Sequence, residues 1–296
     1  MQKEKLILID GNALLYRSFY ALPPLSTRKG TPTGGVYGFT RILMKLLREE
    51  KPEYMACAFD KGKKTFRHQR WEEYKATRPK TPHQLSQQIP LVKKVLEGFR
   101  IAVFEEEEYE ADDILATLAK EGERAGLEVK IFTGDKDIFQ IISPSISIVR
   151  FKKGISQTQV FDAQKVKEEY GIYPEQIADY LSLVGDTSDN IPGVPGIGPK
   201  SAIHLIKKFD NVERLLSELD RLPPKLARKI RENVEKVKLS KKLATVVYNI
   251  PLKFDLKKLK TKTPDKDILL DIFRELEFKE LIKNLENSPA HDQLML

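Results

Sequence analysis

Short, continuous apolar runs recur through the first half of the chain, and helical patterns separate them. An apolar run without alternation is typical of a strand that is buried on both faces. The strand-like runs lie at 6–9, 54–59, 101–104 and 129–132, and the helical patterns lie at 40–50, 90–99 and 111–125. This alternation predicts an α/β domain with a mostly parallel sheet, whose functional groups gather beyond the carboxyl ends of the strands.

The second half of the chain has a different pattern, in which strand signals almost disappear. Helical patterns lie at 164–170, 174–184, 200–209 and 226–247. A glycine- and proline-rich stretch at 193–199 interrupts them, as turn residues at this density do. We therefore predict three parts: an α/β domain over 1–174, a helical module over 175–262, and a final helical tail over 263–296 that packs back onto the body.

Composition narrows the class of protein. Hydrophobic residues make up 41% and charged residues 32% of the chain, and disordered chains lack this many apolar residues. No apolar stretch has the length of a membrane span and the N-terminus lacks a signal-peptide pattern, so we expect a cytoplasmic protein without membrane association. One cysteine and four histidines cannot build a zinc site of thiolates and imidazoles. Any metal site must therefore use oxygen ligands.

Acidic residues stand where the predicted strands end. Asp10, Asp60 and Asp135 follow three of them, and each alone has an ordinary explanation as a turn former or helix cap. Because the carboxyl ends of parallel strands meet at one edge of a sheet, we expect these acids to lie close together. Further candidate acids lie between Asp60 and Asp135, beside Asp135 and in the second half of the chain. The candidate metal ligands are Asp10, Asp60, Glu110, Asp112, Asp113, Asp135, Asp137, Asp186 and Asp189.

So many carboxylates in one place repel one another unless cations lie between them. The i, i+3 spacing places Glu110 and Asp113 on one helix face, and Asp186 and Asp189 would share a face if their segment is helical. Hard divalent ions with oxygen ligands relieve this repulsion, which favours Mg²⁺ or Mn²⁺. Two such ions about 4 Å apart activate a water and stabilise the leaving oxygen of a phosphoryl displacement. We therefore predict two or more Mg²⁺ or Mn²⁺ ions and metal-assisted hydrolysis.

A basic segment rich in aromatic residues, at 61–80, follows Asp60 directly. Considered alone, this segment has the composition of an ordinary solvated amphipathic helix. Aromatic residues among cations next to an active-site acid instead favour an element that grips a nucleic-acid strand. Lys75 and Arg78 share a helix face by spacing and would contact the scissile phosphate. The net charge of +8 is consistent with an anionic partner.

The glycine-rich turn precedes a predicted helix. Gly196 and Gly198 allow backbone amides to approach a phosphate closely, and the helix dipole favours the anion at Lys200 and Ser201. An ordinary glycine-proline turn is the alternative, and the spacing fits neither a P-loop nor a dinucleotide-binding turn. We interpret it as a phosphate-binding hairpin, whose basic surface later lysines and arginines extend along a duplex.

Six motifs in order along the chain closely resemble the 5′-nuclease domain of bacterial DNA polymerase I, within the flap endonuclease superfamily. The motifs are Leu8-Ile9-Asp10-Gly11-Asn12, Phe59-Asp60 with Thr65-Phe66-Arg67, Tyr74-Lys75-Ala76-Thr77-Arg78, Glu110-Ala111-Asp112-Asp113, Thr133-Gly134-Asp135-Lys136-Asp137, and 185–198. The resemblance covers nearly the whole chain. It implies a PIN-like α/β nuclease domain, a helical arch at about 61–84 over the active site, and a helix-hairpin-helix type module that grips duplex DNA.

The resemblance also implies roles for individual residues. The nine acids fall on the family's metal-binding positions. Lys75 and Arg78, with Tyr74 beside them, are implied to be electrophilic or orienting groups. The implied DNA contacts are Arg67 and Arg70 for the substrate strand and Gly196, Gly198, Lys200 and Ser201 for the duplex. A monovalent cation, K⁺, held by backbone carbonyls of the hairpin is implied as well, without assigned ligands.

The expected function is that of a structure-specific 5′-nuclease. It hydrolyses phosphodiesters at 5′ flaps, nicks and 5′ ends of DNA, and in RNA primers paired with DNA, during primer removal and excision repair. We expect a monomer, either a stand-alone protein that acts with a separate DNA polymerase or an excised domain. A non-catalytic binder of branched DNA is the first alternative, and missing acids would have signalled it. A PIN-like ribonuclease is the second, although cleavage of single-stranded RNA needs no duplex-binding module.

Overall fold

A computed structural model describes residues 3–62, 64–152 and 157–287 of the chain. Within these residues, six strands form one sheet in the order β3-β2-β1-β4-β5-β6. The strands are β1 Lys5–Asp10, β2 Tyr54–Ala58, β3 Ala102–Phe104, β4 Glu128–Phe132, β5 Ile146–Phe151 and β6 Thr158–Phe161. The first five are parallel, and β6 pairs antiparallel with β5 at the edge. The predicted mostly parallel α/β sheet is confirmed.

Helices flank the sheet and make up most of the second half of the chain. They are α1 Gly11–Ala21, α2 Gly34–Glu50, α3 Phe66–Arg70, α4 His83–Ser86, α5 Ile89–Gly98, α6 Ala111–Arg124, α7 Ala163–Tyr170, α8 Ile177–Val184, α9 Pro199–Phe209, α10 Val212–Ser217, α11 Pro224–Arg231, α12 Val234–Ala244, α13 Leu256–Leu259, α14 Lys266–Glu275 and α15 Lys279–Asn287. Single 3₁₀ turns lie at Asp137–Ile141, Pro174–Gln176 and Leu219–Arg221. In the part of the chain just described, no helix is both long and apolar enough to span a bilayer.

Strand β1 lies at the centre of the sheet and is covered on both faces, which explains its continuous apolar sequence. Leu6 and Leu8 pack on the side of α6, whereas Ile7 and Ile9 pack on the side of α1, α2 and α5. All four side chains are fully buried. Because β1 is paired to β2 on one side and β4 on the other, the carboxyl ends of three strands meet at one place.

The two halves of the chain share hydrophobic cores with the sheet. Side chains of α9 and α12 belong to the same buried cluster as the α6 face, and side chains of α14 and α15 belong to the cluster on the opposite face. Within 263–287, α14 and α15 pack on this face of the sheet, whereas 288–296 lies outside the described residues. Boundaries at 174 and 262 stay a prediction, because one continuous core joins the sheet to the helices that follow it.

The segment expected to form a helical arch has little helix. Within 64–84, only α3 and the first residues of α4 are helical, and 72–77 is a succession of turns. Lys75 has a φ of 56°, which a right-handed helix does not allow. The expectation that Lys75 and Arg78 share a helix face is therefore wrong. Residue 63 of the basic run lies outside the described residues.

Candidate metal and phosphodiester site

A cavity of about 820 Å³ opens beyond the carboxyl ends of β1, β2 and β4. Eight of the nine candidate acids line it, which is the convergence expected from the strand ends. They are Asp10, Asp60, Glu110, Asp112, Asp135, Asp137, Asp186 and Asp189. Lys75 and Arg78 line the same cavity. Acids and cations from separate segments thus line one open cavity.

The acids that follow β1 and β2 are held by contacts with neighbouring elements. Asp10 caps α1, since its Oδ1 accepts the amide hydrogen of Ala13 at 2.8 Å, and its Oδ2 accepts the Thr133 hydroxyl at 2.8 Å. Asp60 Oδ1 accepts the amide hydrogen of Ala111 at 2.8 Å. The ordinary role of a strand-end acid as a helix cap and its role in the cavity are therefore combined.

Gly11 explains how close the site lies to the packed core. A Cβ atom at this position would lie 2.3 Å from Cζ of Phe59, a buried ring next to Asp60. Only glycine lets α1 begin against this ring, because a contact that short requires the ring or the helix to move. Gly11 therefore allows the start of α1, next to Asp10, to pack closely against Phe59, next to Asp60.

The start of α6 presents Glu110 and Asp112 to the cavity and turns Asp113 away from it. Glu110 and Asp113 form a capping box, each side chain accepting the other's backbone amide hydrogen. Oδ1 of Asp112 is buried without a hydrogen-bond partner. Asp113, by contrast, is fully buried outside the cavity lining and faces Arg67. The assignment of Asp113 as a cavity-facing metal ligand is corrected by this geometry.

The remaining acids come from turns. Asp137 begins a 3₁₀ turn, and its amide hydrogen is donated to Asp135 Oδ1 at 2.8 Å. Asp186 Oδ1 accepts the amide hydrogen of Ser188 at 2.6 Å. The backbones of Asp186 and Ile191 form an isolated antiparallel β-bridge. The segment is a turn and no helix is present at 185–191. Asp186 and Asp189 therefore do not share a helix face, although both reach the cavity.

Burial and crowding raise the pKa values of several of the acids. Burial, with repulsion from Asp60 and Asp135, raises the pKa of Asp10 to about 7. Burial and the neighbouring Asp135 also raise the pKa values of Asp112 and Asp137 well above the ordinary range of a carboxyl. Asp189 is the exception, because Lys75 and Arg78 outweigh its burial and lower its pKa. Buried, crowded carboxylates therefore favour their protonated form unless a cation lies between them.

This donor set fits hard divalent cations. No group of three or more His, Cys, Asp or Glu side chains within the described ranges is arranged to hold an ion as it stands. The unpartnered, buried Oδ1 of Asp112 and the mutual repulsion of its neighbours are nonetheless the conditions that a divalent ion relieves. Carboxylates that line one cavity can close on an ion by side-chain rotation. We conclude that the residues fit a hard divalent cation.

The turn segment 71–78 is docked into the acid site. Lys75 Nζ lies 2.7 Å from Glu110 Oε1 and 3.7 Å from Asp189 Oδ2. Arg78 pairs with Asp189 Oδ1. The Tyr74 hydroxyl, only 3% exposed as a residue, lies 2.9 Å from Asp189 Oδ2 and 3.1 Å from Glu110 Oε2. All three residues proposed to act on substrate thus contact acids of the site.

Backbone contacts hold the same segment in place. The Lys75 amide donates to the carbonyl of Asp189 at 2.9 Å. Trp71 Nε1 donates to the carbonyl of Asn190 at 3.2 Å, and Asn190 Nδ2 donates to the carbonyl of Glu73 at 2.7 Å. The segment and the 186–191 turn therefore form one docked unit, in which Lys75 and Arg78 occupy oxygens that a divalent ion would also use.

Arg67 and Arg70 differ in their surroundings, although both were expected to contact the substrate strand. Arg67 is 3% exposed, and its guanidinium is engaged by Asp113 and by backbone carbonyls. It is therefore corrected from a substrate contact to a buried structural cation. Arg70 is exposed beside the Phe66 ring, and its contact with the substrate strand stays a prediction.

The glycine-rich turn lies at the surface, as a duplex-binding hairpin requires. Gly196 has a φ of 75°, which favours glycine, and Gly198 is the N-cap of α9. Lys200 and Ser201, in the first turn of α9, are exposed. Lys229 Nζ approaches the Gly196 carbonyl at 3.5 Å. The role of these residues in binding DNA stays a prediction.

Two polar residues of the site were not singled out by sequence reasoning. Asn12 Nδ2 donates to Asp60 Oδ2 at 3.1 Å, while its Oδ1 is buried without a partner. Thr133, fully packed at the end of β4, holds Asp10. Both follow a strand within the quoted motifs, so their position beside the acids was the available signal. They orient the carboxylates that face the cavity.

We expect acidification to stabilise the metal-free protein. A carboxyl whose folded pKa is raised, as for Asp10, keeps a proton in the folded state that the unfolded chain releases. The free energy of unfolding should therefore fall as pH rises from about 4 to 7, by up to about 1.4 kcal/mol per pH unit for each such group. Thermal unfolding in EDTA at pH 5.5, 6.5 and 7.5 measures this. Asp10→Asn should flatten the dependence, and a higher Tm at pH 7.5 than at pH 5.5 would contradict it.

The sequence matches known families over nearly its whole length. Residues 5–171 match the family described as 5′-3′ exonuclease, N-terminal resolvase-like domain, and residues 172–267 match 5′-3′ exonuclease, C-terminal SAM fold. DNA polymerase I of Bacillus subtilis is 46% identical over 290 residues, which are 98% of this chain and 33% of that protein. The 5′-3′ exonuclease of Aquifex aeolicus is 39% identical over 281 residues, which are 95% of each chain. The chain thus spans about a third of the length of the DNA polymerase I relative.

Solved structures share the fold. T5 5′-exonuclease with bound zinc ions superposes with a TM-score of 0.68 at 20% identity, covering 95% of this chain and 98% of that one. The catalytic core of Rad2 in complex with DNA substrate superposes with a TM-score of 0.63 at 18% identity, covering 96% and 93%. At identities this low, the likeness concerns the arrangement of strands and helices.

Proposed function

The chain belongs to the 5′-3′ exonuclease family, and on that premise we propose that it is a structure-specific 5′-nuclease. It hydrolyses phosphodiesters at 5′ flaps, nicks and 5′ ends of DNA, and in RNA primers paired with DNA. The observation that carries the proposal is the cavity lined by eight acids together with Lys75 and Arg78. The T5 structures with metal ions and the Rad2 structures with DNA support a divalent metal and a DNA substrate.

The acids of the cavity would hold two or more Mg²⁺ or Mn²⁺ ions. Bound there, the ions supply an activated water and stabilise the leaving oxygen. Asn12 and Thr133 keep Asp60 and Asp10 oriented toward the cavity. Asp112, whose Oδ1 has no partner within the protein, is the acid best placed to serve as a ligand.

Lys75 and Arg78 would bind the scissile phosphate. Their charges lie beside the acids in a half-buried position, where an ion pair is stronger than in bulk water. Positive groups aimed at a phosphate stabilise the charge that develops on its oxygens during displacement. To act in this way, both side chains must leave Glu110 and Asp189 and turn to the substrate. Tyr74 would keep its contacts with Glu110 and Asp189 and orient the two carboxylates.

We expect divalent ions to undock the 71–78 segment, and the single tryptophan of the chain reports it. Mg²⁺ competes with Lys75 for Glu110 and Asp189, so the bond from Trp71 Nε1 to Asn190 should weaken as the ion binds. Emission of Trp71 should then shift to longer wavelength as the indole becomes exposed. A fluorescence titration with Mg²⁺ measures this.

The control for that titration is the Asp112→Asn variant at matched ionic strength, which should need more Mg²⁺ for the same shift. Binding of Mg²⁺ is monitored separately by the rise in Tm that a bound ligand causes. Saturation of the Tm shift without any change in Trp71 emission would show that the segment stays docked.

The duplex would lie along the helical module. Gly196, Gly198, Lys200 and Ser201 would contact one phosphate through the first turn of α9, with K⁺ as the monovalent ion at the hairpin. Arg70 would contact the cleaved strand. Basic residues that extend the surface are Lys207, Lys208, Lys225, Arg228, Lys229 and Arg231. Contacts of this kind make binding strongly dependent on salt concentration.

We place the enzyme in primer removal and excision repair, in the cytoplasm and as a monomer. The likeness to one third of a DNA polymerase I supports a link to a polymerase, either as a separate partner or in the same polypeptide. Removal of a 5′ flap leaves a nick with a 5′-phosphate and a 3′-hydroxyl, which a ligase can seal. These assignments rest on the relatives and on the site.

A substrate comparison tests the function. Equal amounts of a 5′-flap duplex, a nicked duplex and single-stranded RNA are incubated with the protein in Mg²⁺ and in EDTA. We expect cleavage of the flap and the nick in Mg²⁺ only. Binding of the flap without cleavage would favour a non-catalytic binder of branched DNA, and preferential cutting of the RNA would favour a PIN-like ribonuclease.

A further inference from the structure

Arg67 and Asp113 form a buried ion pair that contacts the acid site but does not line its cavity. Arg67 is 3% exposed and Asp113 is fully buried. Arg67 Nη1 and Nη2 donate to Asp113 Oδ2 and Oδ1 at 2.7 and 2.8 Å, the two-pronged geometry that a guanidinium and a carboxylate adopt at their strongest. Both residues were assigned by resemblance to metal or substrate, and the structure leaves neither at the cavity.

The pair is anchored to the end of α12. Arg67 Nε donates to the carbonyl of Leu243 at 2.9 Å, and Nη2 donates to the carbonyl of Thr245 at 3.1 Å. Asp113 Oδ1 accepts the amide hydrogen of Val247 at 2.8 Å. These bonds satisfy the buried charges from the backbone, as a buried ion pair requires if it is to persist. The pair is therefore fixed by chain that lies more than a hundred residues away in sequence.

The same pair also holds Glu110 at two points. Asp113 Oδ2 accepts the amide hydrogen of Glu110 at 3.2 Å, and Arg67 Nη1 lies 3.4 Å from Glu110 Oε2. Glu110 Oε1 is left to face the cavity, where Lys75 contacts it at 2.7 Å. Arg67 and Asp113 thus hold both the backbone and the side chain of Glu110 in place.

We infer that Arg67 and Asp113 are positioning residues, which fix the Glu110 carboxylate for metal binding and do not bind metal or substrate themselves. The inference rests on the proposed metal site and assigns these two residues a different role there. Residues that orient a ligand from behind typically affect metal affinity by about 10- to 100-fold.

Two variants test the inference by Mn²⁺ binding to the protein without DNA, with free Mn²⁺ counted by electron paramagnetic resonance. Arg67→Lys keeps the charge but cannot make the two-pronged contact with Asp113. Asp113→Asn keeps the size but loses the charge. We expect each to weaken Mn²⁺ binding by about 10- to 100-fold with the number of bound ions unchanged. In cleavage assays, excess Mn²⁺ should restore kcat.

The matched control is Asp179→Asn. Asp179 is 5% exposed, accepts the amide hydrogen of Val212 at 2.9 Å and pairs with Lys241 at 2.7 Å, without contacting Glu110. The Asp179→Asn variant should lower the Tm as Asp113→Asn does and leave Mn²⁺ affinity unchanged. A comparable loss of Mn²⁺ affinity in Asp179→Asn would mean that destabilisation alone is responsible, and would overturn the inference.

A direct ligand role for Asp113 gives a different pattern. Asp113→Asn would then lose a bound ion, while Arg67→Lys would bind Mn²⁺ as well as the parent protein or more tightly. That result, or unchanged affinity in both variants, would also overturn the inference. If Asp113→Asn does not fold, Arg67→Lys alone decides. Because Mn²⁺ binding is measured without DNA, failure of the parent protein to cut flaps would remove the proposed function and leave this result standing.

Discussion

The Asp112→Asn variant should lose cleavage of a 5′ flap by about 1,000-fold and still unfold at a higher temperature than the parent protein in EDTA. The loss corresponds to about 4 kcal/mol of transition-state stabilisation, the scale expected when a metal ligand is removed. The gain arises because Asp112 is buried, repelled by Asp135 and Asp10, and has an oxygen without a partner. Neutralising it removes that repulsion, worth on the order of 1 kcal/mol, or roughly 2–4 °C in Tm.

Single-turnover cleavage and thermal unfolding in EDTA measure the two effects on one protein preparation. The control is Asp267→Asn, because Asp267 also lies in the first turn of a helix but is exposed. It should change neither quantity by a comparable amount. A lower Tm for Asp112→Asn would mean that the Asp112 carboxylate is compensated within the metal-free parent protein, and would contradict the proposed repulsion among the acids. Opposite effects on activity and stability are expected where a site accumulates like charges for function.

Replacement of Lys75 by methionine should lower kcat by about 100-fold and change KM far less. Lys75 would stabilise charge on the phosphate during displacement, and about 2.7 kcal/mol of such stabilisation corresponds to that factor. The variant should also reach half of its maximal rate at a lower Mg²⁺ concentration, because Lys75 Nζ no longer competes for Glu110 and Asp189. Steady-state kinetics over a range of Mg²⁺ concentrations measure both.

Lys80→Met is the matched control, since Lys80 is exposed two residues beyond the 71–78 segment and lies outside the cavity lining. It should alter salt-dependent binding alone. A Lys75→Met variant with unchanged kcat and a raised KM would restrict Lys75 to substrate binding. An increased need for Mg²⁺ would instead show that Lys75 supports the acid site rather than competing for it.

The position of the acid site was predictable from the sequence because strand ends carry it. Each apolar run of β1, β2 and β4 ends in an acid within a few residues, and parallel strands must bring these ends to one edge. The buried run of β1 identified the centre of the sheet for the same reason. By contrast, β5 and β6 were not anticipated, since they are an edge pair with less apolar, partly exposed sequences.

The direction of individual side chains was not predictable. Asp112 and Asp113 are adjacent in sequence, and their positions on α6 differ by about 100° around the helix axis. Which one faces the cavity depends on how α6 packs on the sheet and on the contacts that residues 243–247 make with Arg67 and Asp113. The buried location of Arg67 has the same cause, because its partners come from two segments that are distant in sequence, one with Glu110 and Asp113 and one with Leu243 and Thr245.

The conformation of 71–78 was missed for a related reason. Its sequence has the composition of an exposed helix, and the spacing of Lys75 and Arg78 fits one helix face. In the structure, contacts with Asp189 and Asn190 replace the hydrogen bonds of a helix, and Lys75 takes a φ of 56°. Attraction between the cations and the acid site outweighs local helix propensity, which contributes only tenths of a kcal/mol per residue.

The most direct test of the acid site is a crystal structure of the protein soaked in Mn²⁺, with anomalous scattering used to locate the ions. We expect two peaks about 4 Å apart within the cavity lined by Asp10, Asp112 and Asp135. Lys75 should have moved away from Glu110, and Asp113 should remain paired with Arg67. A map with no peak in this cavity at saturating Mn²⁺, or with peaks only at Asp113, would contradict the account.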